Sequence, residues 1–202
     1  MQKNLSTNHG FTLLLTVIVI GVVLAVTLAS LNLAIKQVRL SADTRDSEIA
    51  FQAANAGLEC IRHWRRAERT GFESGDDVEI DCFGSAGISP ANLHDSIPST
   101  GDGSVFLYEY QISWGDAGFG ERCSQMRLVV MSADIDGDGL EIENDDMRDA
   151  LEGYPEGPNT VCEAGGRCTA FSSQGYSTSC PTTGIGGGFP LGTIQREILV
   201  EF

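Results

Sequence analysis

Four aspartates between residues 134 and 145 are the side chains whose type and spacing best suit chemistry, and that chemistry is the capture of a hard cation. In the stretch DIDGDGLEIEND, Asp134, Asp136 and Asp138 take the first, third and fifth positions of a calcium-binding loop, Gly139 takes the sixth and Asp145 the last. Short carboxylates supply the oxygen ligands that calcium prefers, the glycine permits a sharp turn, and the backbone carbonyl of Leu140 falls at the seventh position. Acids placed this close repel one another, and a bound cation removes that cost. Asp145 stands where such loops usually carry a bidentate Glu, Glu141 stands where they prefer an aliphatic residue, and Asp146 could replace Asp145 as the last ligand. The expected ion is calcium, and its expected role is to order an insertion over residues 134–167.

Six cysteines, Cys60, Cys82, Cys123, Cys162, Cys168 and Cys180, form the second reactive set. An even number beyond an apolar membrane-length run points to disulfides in an oxidising compartment. The sequence leaves their connectivity open. Cys60 and Cys82 flank a helix end and the loop after it and are paired first, Cys162 and Cys168 are near enough to clip a short loop, and Cys123 and Cys180 remain. No Cys-x-x-Cys pair occurs and His63 and His94 stand alone, which argues against zinc. His94 and Asp95 are adjacent without a nucleophile motif, and the Gly-rich stretch 185–192 lacks the Lys-Ser or Lys-Thr of a phosphate cradle. With no acid/base pair or cofactor fingerprint, the chain does not read as an enzyme. Its formal net charge of -15 argues against an electrostatic grip on nucleic acid.

These residues must be carried by elements, and the first is long. Residues 11–35 contain no charge and would reach about 37 Å as a helix, enough to cross a hydrocarbon core of about 30 Å. The helical pattern continues: Ile49, Ala53, Ala56, Cys60, Trp64 and Ala67 recur at spacings of three and four and mark one apolar face. Arg65, Arg66 and Arg69 suit the negative end of the helix dipole, and Gly71 is the expected stop, giving one helix to about residue 70. Residues 71–103 are rich in Gly, Asp and Ser and read as a long connecting loop. Alternation then predicts four strands, over 105–114, 122–133, 168–176 and 193–202, the first two forming an antiparallel hairpin. The fold class expected is α+β: a long N-terminal helix packed on a roughly four-stranded antiparallel sheet. The chain divides into a leader (1–10), an apolar helix (11–35), its amphipathic continuation (36–70) and a globular domain (71–202).

The front edge of the apolar run, Gly10-Phe11-Thr12-Leu13-Leu14 after a short polar leader, resembles the class III signal of type IV prepilins and pseudopilins. The resemblance implies that a prepilin peptidase cuts after Gly10 and methylates the new N-terminal Phe11. It also implies a bacterial inner-membrane protein whose helix joins other pilin subunits in a cell-surface pilus or a periplasmic pseudopilus. Lys36 and Arg39 follow the run while only Lys3 precedes it, so the positive-inside count does not support a cytoplasmic N-terminus, and the processing motif has to. Most major pilins carry Glu as the fifth mature residue, where this chain has Leu15. Subunits lacking that Glu are typically X-type minor pilins and tip-forming pseudopilins. A second block, AFQAANAGLE at 50–59, is similar to the AAEAGLE-like block of X-type minor pilins, with Asn55 in place of the usual Glu. Together the matches cover roughly the first sixty residues. They imply a minor subunit at or near a filament tip.

The acidic loop, for its part, looks more like the isolated Asp-x-Asp-Gly-Asp-Gly loops of thrombospondin repeats and dockerins than like an EF-hand pair, since a strand precedes it. A competing reading follows: a calcium-dependent surface adhesion module whose helix is only its membrane anchor.

Overall fold

The computed structural model describes residues 9–94, 97–115, 120–185 and 187–201. The α+β architecture is present, with a long N-terminal helix followed by antiparallel sheets. Helix α1 spans His9–Ala67 without interruption, as expected of a stretch with no proline. The chain forms two compact units, residues 1–44 and residues 45–202. In the first unit every residue from 11 to 44 is exposed, and the helix is long and apolar enough to cross a membrane.

In the second unit, α1 ends at Ala67 and a short helix α2, Arg69–Ser74, follows. Gly71 lies inside α2, and the stop is Gly75, which takes the left-handed conformation (φ 77°) that a Cβ would penalise. The described residues of the expected loop 71–103 also hold secondary structure that their composition does not suggest. They supply strands β1 (Ile80–Cys82), β2 (Ser85–Ile88), β3 (Asn92–His94) and β4 (Thr100–Gly101). Two buried tyrosines from the next strand pin this segment. The Tyr108 hydroxyl donates to the Phe72 carbonyl at 3.1 Å, and the Tyr110 hydroxyl donates to the Val78 carbonyl at 2.7 Å. Composition could not signal such long-range anchors.

The main sheet is built from β5 (Gly103–Trp114), β6 (Arg122–Ala133), β9 (Arg167–Tyr176) and β10 (Gln195–Glu201), with β3 added at one edge. Its order is β10-β9-β6-β5-β3, antiparallel throughout, so the four expected strands are joined by a fifth, short one. Of the last strand expected over 193–202, Phe202 lies outside the described residues and residues 193 and 194 precede β10.

One face of the sheet meets the second half of α1. The buried residues on α1 are Ala50, Ala53, Ala54, Gly57, Leu58, Ile61 and Arg65. This stripe is turned by about one residue from the expected one. Of the expected set, Ala53 is buried, Ile49, Ala56, Cys60 and Trp64 are half-buried at its edge, and Ala67 is exposed. Small size decides the contact, because the helix backbone lies directly against Gly175. The Ser124 hydroxyl donates to the Ala53 carbonyl and the Ser173 hydroxyl to the Ala54 carbonyl, each at 2.7 Å. Leu58, Ile61, Phe72, Tyr108, Tyr110, Met126, Leu128, Val130 and Phe171 fill the rest of this core.

The other face is also covered, which alternation in single strands did not announce. The insertion folds into β7 (Leu140–Ile142), α3 (Asn144–Ala150) and β8 (Thr160–Cys162), and β4, β7 and β8 form a separate three-stranded sheet. Leu140, Ile142, Met147, Leu151 and Cys162 pack on Val105, Leu107, Val129 and Met131 to make a second core. Further along the same face the strands carry a polar ladder. Arg127 Nε donates to Glu109 at 2.8 Å, and Gln125 Nε2 donates to Gln111 at 2.9 Å. The Tyr176 hydroxyl donates to Gln174 at 2.8 Å.

Candidate functional site

The acidic loop begins where β6 ends and runs into β7 and then α3, so Asp134, Asp136 and Asp138 precede a short strand and Asp145 lies in the helix after it. Gly139 adopts φ 87°, the left-handed turn that a glycine at this position of a calcium loop must make. Leu140 lies in β7 with its side chain buried, while Asp134, Asp136, Asp138 and Asp145 are all exposed. Asp134 and Asp136 line one open cleft of about 420 Å³, together with Asp102, Gly137 and Arg167. Asp138 is not in that lining. Asp145 sits in α3, where it pairs with Arg148 at 3.7 Å. Among the described residues no three His, Cys, Asp or Glu side chains come together as a metal-holding group. The backbone turn therefore fits a calcium loop, whereas the carboxylates as they stand do not gather around an ion.

Backbone hydrogen bonds and a disulfide hold the insertion. Asp134 N–H donates to the Asp102 carbonyl and Asp102 N–H to the Gly139 carbonyl, each at 3.0 Å, and Gly165 N–H donates to the Asp134 carbonyl at 2.9 Å. A disulfide joins Cys162 to Cys168, and others join Cys60 to Cys82 and Cys123 to Cys180, with Cα separations of 5.8, 6.1 and 4.8 Å. Cys60–Cys82 ties α1 to β1, and Cys123–Cys180 ties β6 to the segment before β10.

Gly10 and Phe11 lie in the first turns of α1, and Phe11 is 71% exposed. Residues 1–8 of the expected leader (1–10) lie outside the described residues, as do Asp95 and the His94 side chain of the adjacent His-Asp pair.

One charged group was not visible from spacing. Glu73 in α2 accepts from Arg69 Nε at 2.9 Å, Arg65 Nη2 at 3.0 Å and Arg167 Nε at 3.3 Å. Arg167 also donates to the Ala133 carbonyl at 2.8 Å, linking this cluster to the root of the acidic loop. Burial pushes the Glu73 carboxyl up, but hydrogen bonds from Arg69 and Arg65 and their charges outweigh it and hold the group below its ordinary value. The three arginines at the helix end read naturally as dipole partners. Arg167, on a strand 94 residues from Glu73, carries no sequence signal for the pairing. Three tyrosines are raised, chiefly by burial: Tyr110, Tyr154, which also hydrogen-bonds Glu201, and Tyr176, pushed up to about 12.

No family model, curated protein or solved structure matches this chain.

Proposed function

We propose that this chain is a minor type IV pilin-like structural subunit. It enters the bacterial inner membrane through α1, is cut after Gly10 by a prepilin peptidase, and is assembled at or near the tip of a pilus or pseudopilus. The observation that carries this reading is the uncovered helix. Residues 11–44 are exposed around the whole circumference of α1, including apolar ones such as Leu13 at 68% and Val17 at 61%. A helix apolar on all sides requires lipid or other apolar helices around it. The Gly10-Phe11 junction at its head supports processing, and three disulfides in the domain that follows support an oxidising compartment.

The test is the mature N-terminus, determined by mass spectrometry after expression in a host with a prepilin peptidase and a control prepilin. N-methylated Phe11 is expected. Retention of Met1 alongside a processed control would refute the reading and leave a single-pass anchor.

The second reading, a calcium-dependent binding module, draws support from the Gly139 turn and from the separate three-stranded layer formed with the insertion. Calcium belongs to the proposal as a ligand of Asp134, Asp136, Asp138, the Leu140 carbonyl and Asp145, and its binding would have to draw those carboxylates together. Removing residues 134–167 separates the two readings. Loss of adhesion with filaments intact would favour the binding module.

A further inference from the structure

Four basic side chains of this acidic chain meet at one place. Arg65, Arg66, Arg69 and Arg167, with Thr169, line an open cleft of about 280 Å³. They are four of the 13 basic side chains in a protein of net charge -15. Among the described residues the ion pairs they make are all with one carboxylate, Glu73, so these four guanidiniums outnumber the carboxylate they pair with by three. The negative end of α1 offsets only about half a charge of that excess.

The donors are far from used up. Arg65, with a side chain only 7% exposed, pairs through Nη2 but has a buried Nε with no hydrogen-bond partner. Arg69 engages Glu73 through Nε and is otherwise exposed. Arg66 is exposed and makes no hydrogen bond or ion pair with another described residue. A guanidinium is a planar fork whose geometry matches a carboxylate, and Glu73 shows that this cluster accepts one.

We propose that the cleft binds carboxylate side chains of an acidic segment on a neighbouring protein subunit, with Arg66 and Arg69 as the contact residues and Arg65 behind them. Charge complementarity argues for a protein partner of this kind. The chain itself displays such a segment, with eight acidic residues between 134 and 149. The identity of the neighbour as a filament subunit rests on the function proposed above, but carboxylate binding by the cleft does not.

The experiment titrates the full-length protein, in non-ionic detergent with chelator, with a synthetic peptide of residues 134–149 and separately with inorganic phosphate. Peptide binding is expected, with affinity falling about twofold to fivefold in Arg66→Gln, the range of one exposed charge pair, and largely retained in Arg66→Lys. It should also fall when salt rises to about 0.5 M, because the Debye length shrinks well below about 10 Å. Arg66 makes no ion pair or hydrogen bond with another described residue, so this variant is expected to keep the fold, and unchanged near-UV circular dichroism would show it. Absence of peptide binding, or binding indifferent to Arg66→Gln, overturns the proposal. Phosphate binding lost in Arg66→Gln and not displaced by peptide also overturns it, assigning the cleft to a free oxyanion. Mass analysis of the same preparation separates the two proposals. Peptide binding by a chain that retains Met1 keeps the cleft and sinks the filament reading, and processing to Phe11 without peptide binding does the reverse.

Discussion

Replacing Gly175 with Ala tests the contact that joins α1 to the sheet. A Cβ at this position would lie against the Ala50 carbonyl oxygen, the Ala54 nitrogen and, at 2.9 Å, the Ala53 carbonyl carbon. All are backbone atoms of a helix, so no side-chain rotation relieves the clash. The helix must lift from the sheet, and lifting stretches the Ser124–Ala53 and Ser173–Ala54 hydrogen bonds. Overpacking of this kind costs about 1–3 kcal/mol. Each buried hydrogen bond adds about 0.5–1.5 kcal/mol. Restricting the unfolded chain returns about 0.4–1 kcal/mol. The net loss is about 3 kcal/mol, a fall in Tm of roughly 6–12 °C for a chain of this size. Thermal unfolding of the full-length protein in detergent, followed by the fluorescence of Trp64 and Trp114, reads this directly, since both lie in residues 45–202. Gly21→Ala is the comparison, because nothing lies within 4 Å of its added Cβ. There the only effect is a gain of helix propensity, about 1 kcal/mol. A Gly175→Ala protein that melts with the parent would refute the close helix-to-sheet contact and the packing role given to Ala50, Ala53 and Ala54.

Other consequences can be checked with the same protein. Glu73→Gln should destabilise by about 1–3 kcal/mol, since it removes the charge that three arginines share, and urea unfolding would measure it. Because the Glu73 carboxyl is held below 4.5, the folded state binds fewer protons than the unfolded state just under that pH. Its contribution is therefore complete above 4.5 and is lost as pH falls through the lowered folded value, and the Gln variant should show a flatter acid limb. Removing Cys123 and Cys180 together opens a loop of 57 residues and should cost up to about 4 kcal/mol on the chain-entropy account, with peptide mapping under non-reducing conditions checking all three pairs. If calcium binds the acidic loop, an ion concentration about 100-fold above Kd should stabilise by about 2.7 kcal/mol, and Asp138→Asn should abolish the shift. An unchanged melting curve at millimolar calcium would remove the ion from the proposal.

Local periodicity was enough to locate the long helix and the strands β5, β6, β9 and β10. An uncharged run and an alternation of period two are properties of neighbouring residues, and the burial they demand is the same in any fold that contains them. The glycine and acids of the loop at 134–145 were legible for the same reason, since a left-handed turn is required by the chain at Gly139 itself. Which stripe of α1 is buried was a matter for the sheet. Gly175, Ser124 and Ser173 admit only the Ala50, Ala53 and Ala54 side of the helix, and these contacts span 71 residues or more. The second core had the same origin. Val105, Leu107, Val129 and Met131 sit on the face opposite α1, and only the folding of residues 134–167 back over them makes that face an interior. The Glu73 cluster draws on α1, α2 and β9, so its charge balance exists only once those elements have met. Short-range pattern fixes which elements form, whereas close packing and charge pairing between distant segments decide which of their faces are inside and where a polar cleft is left open.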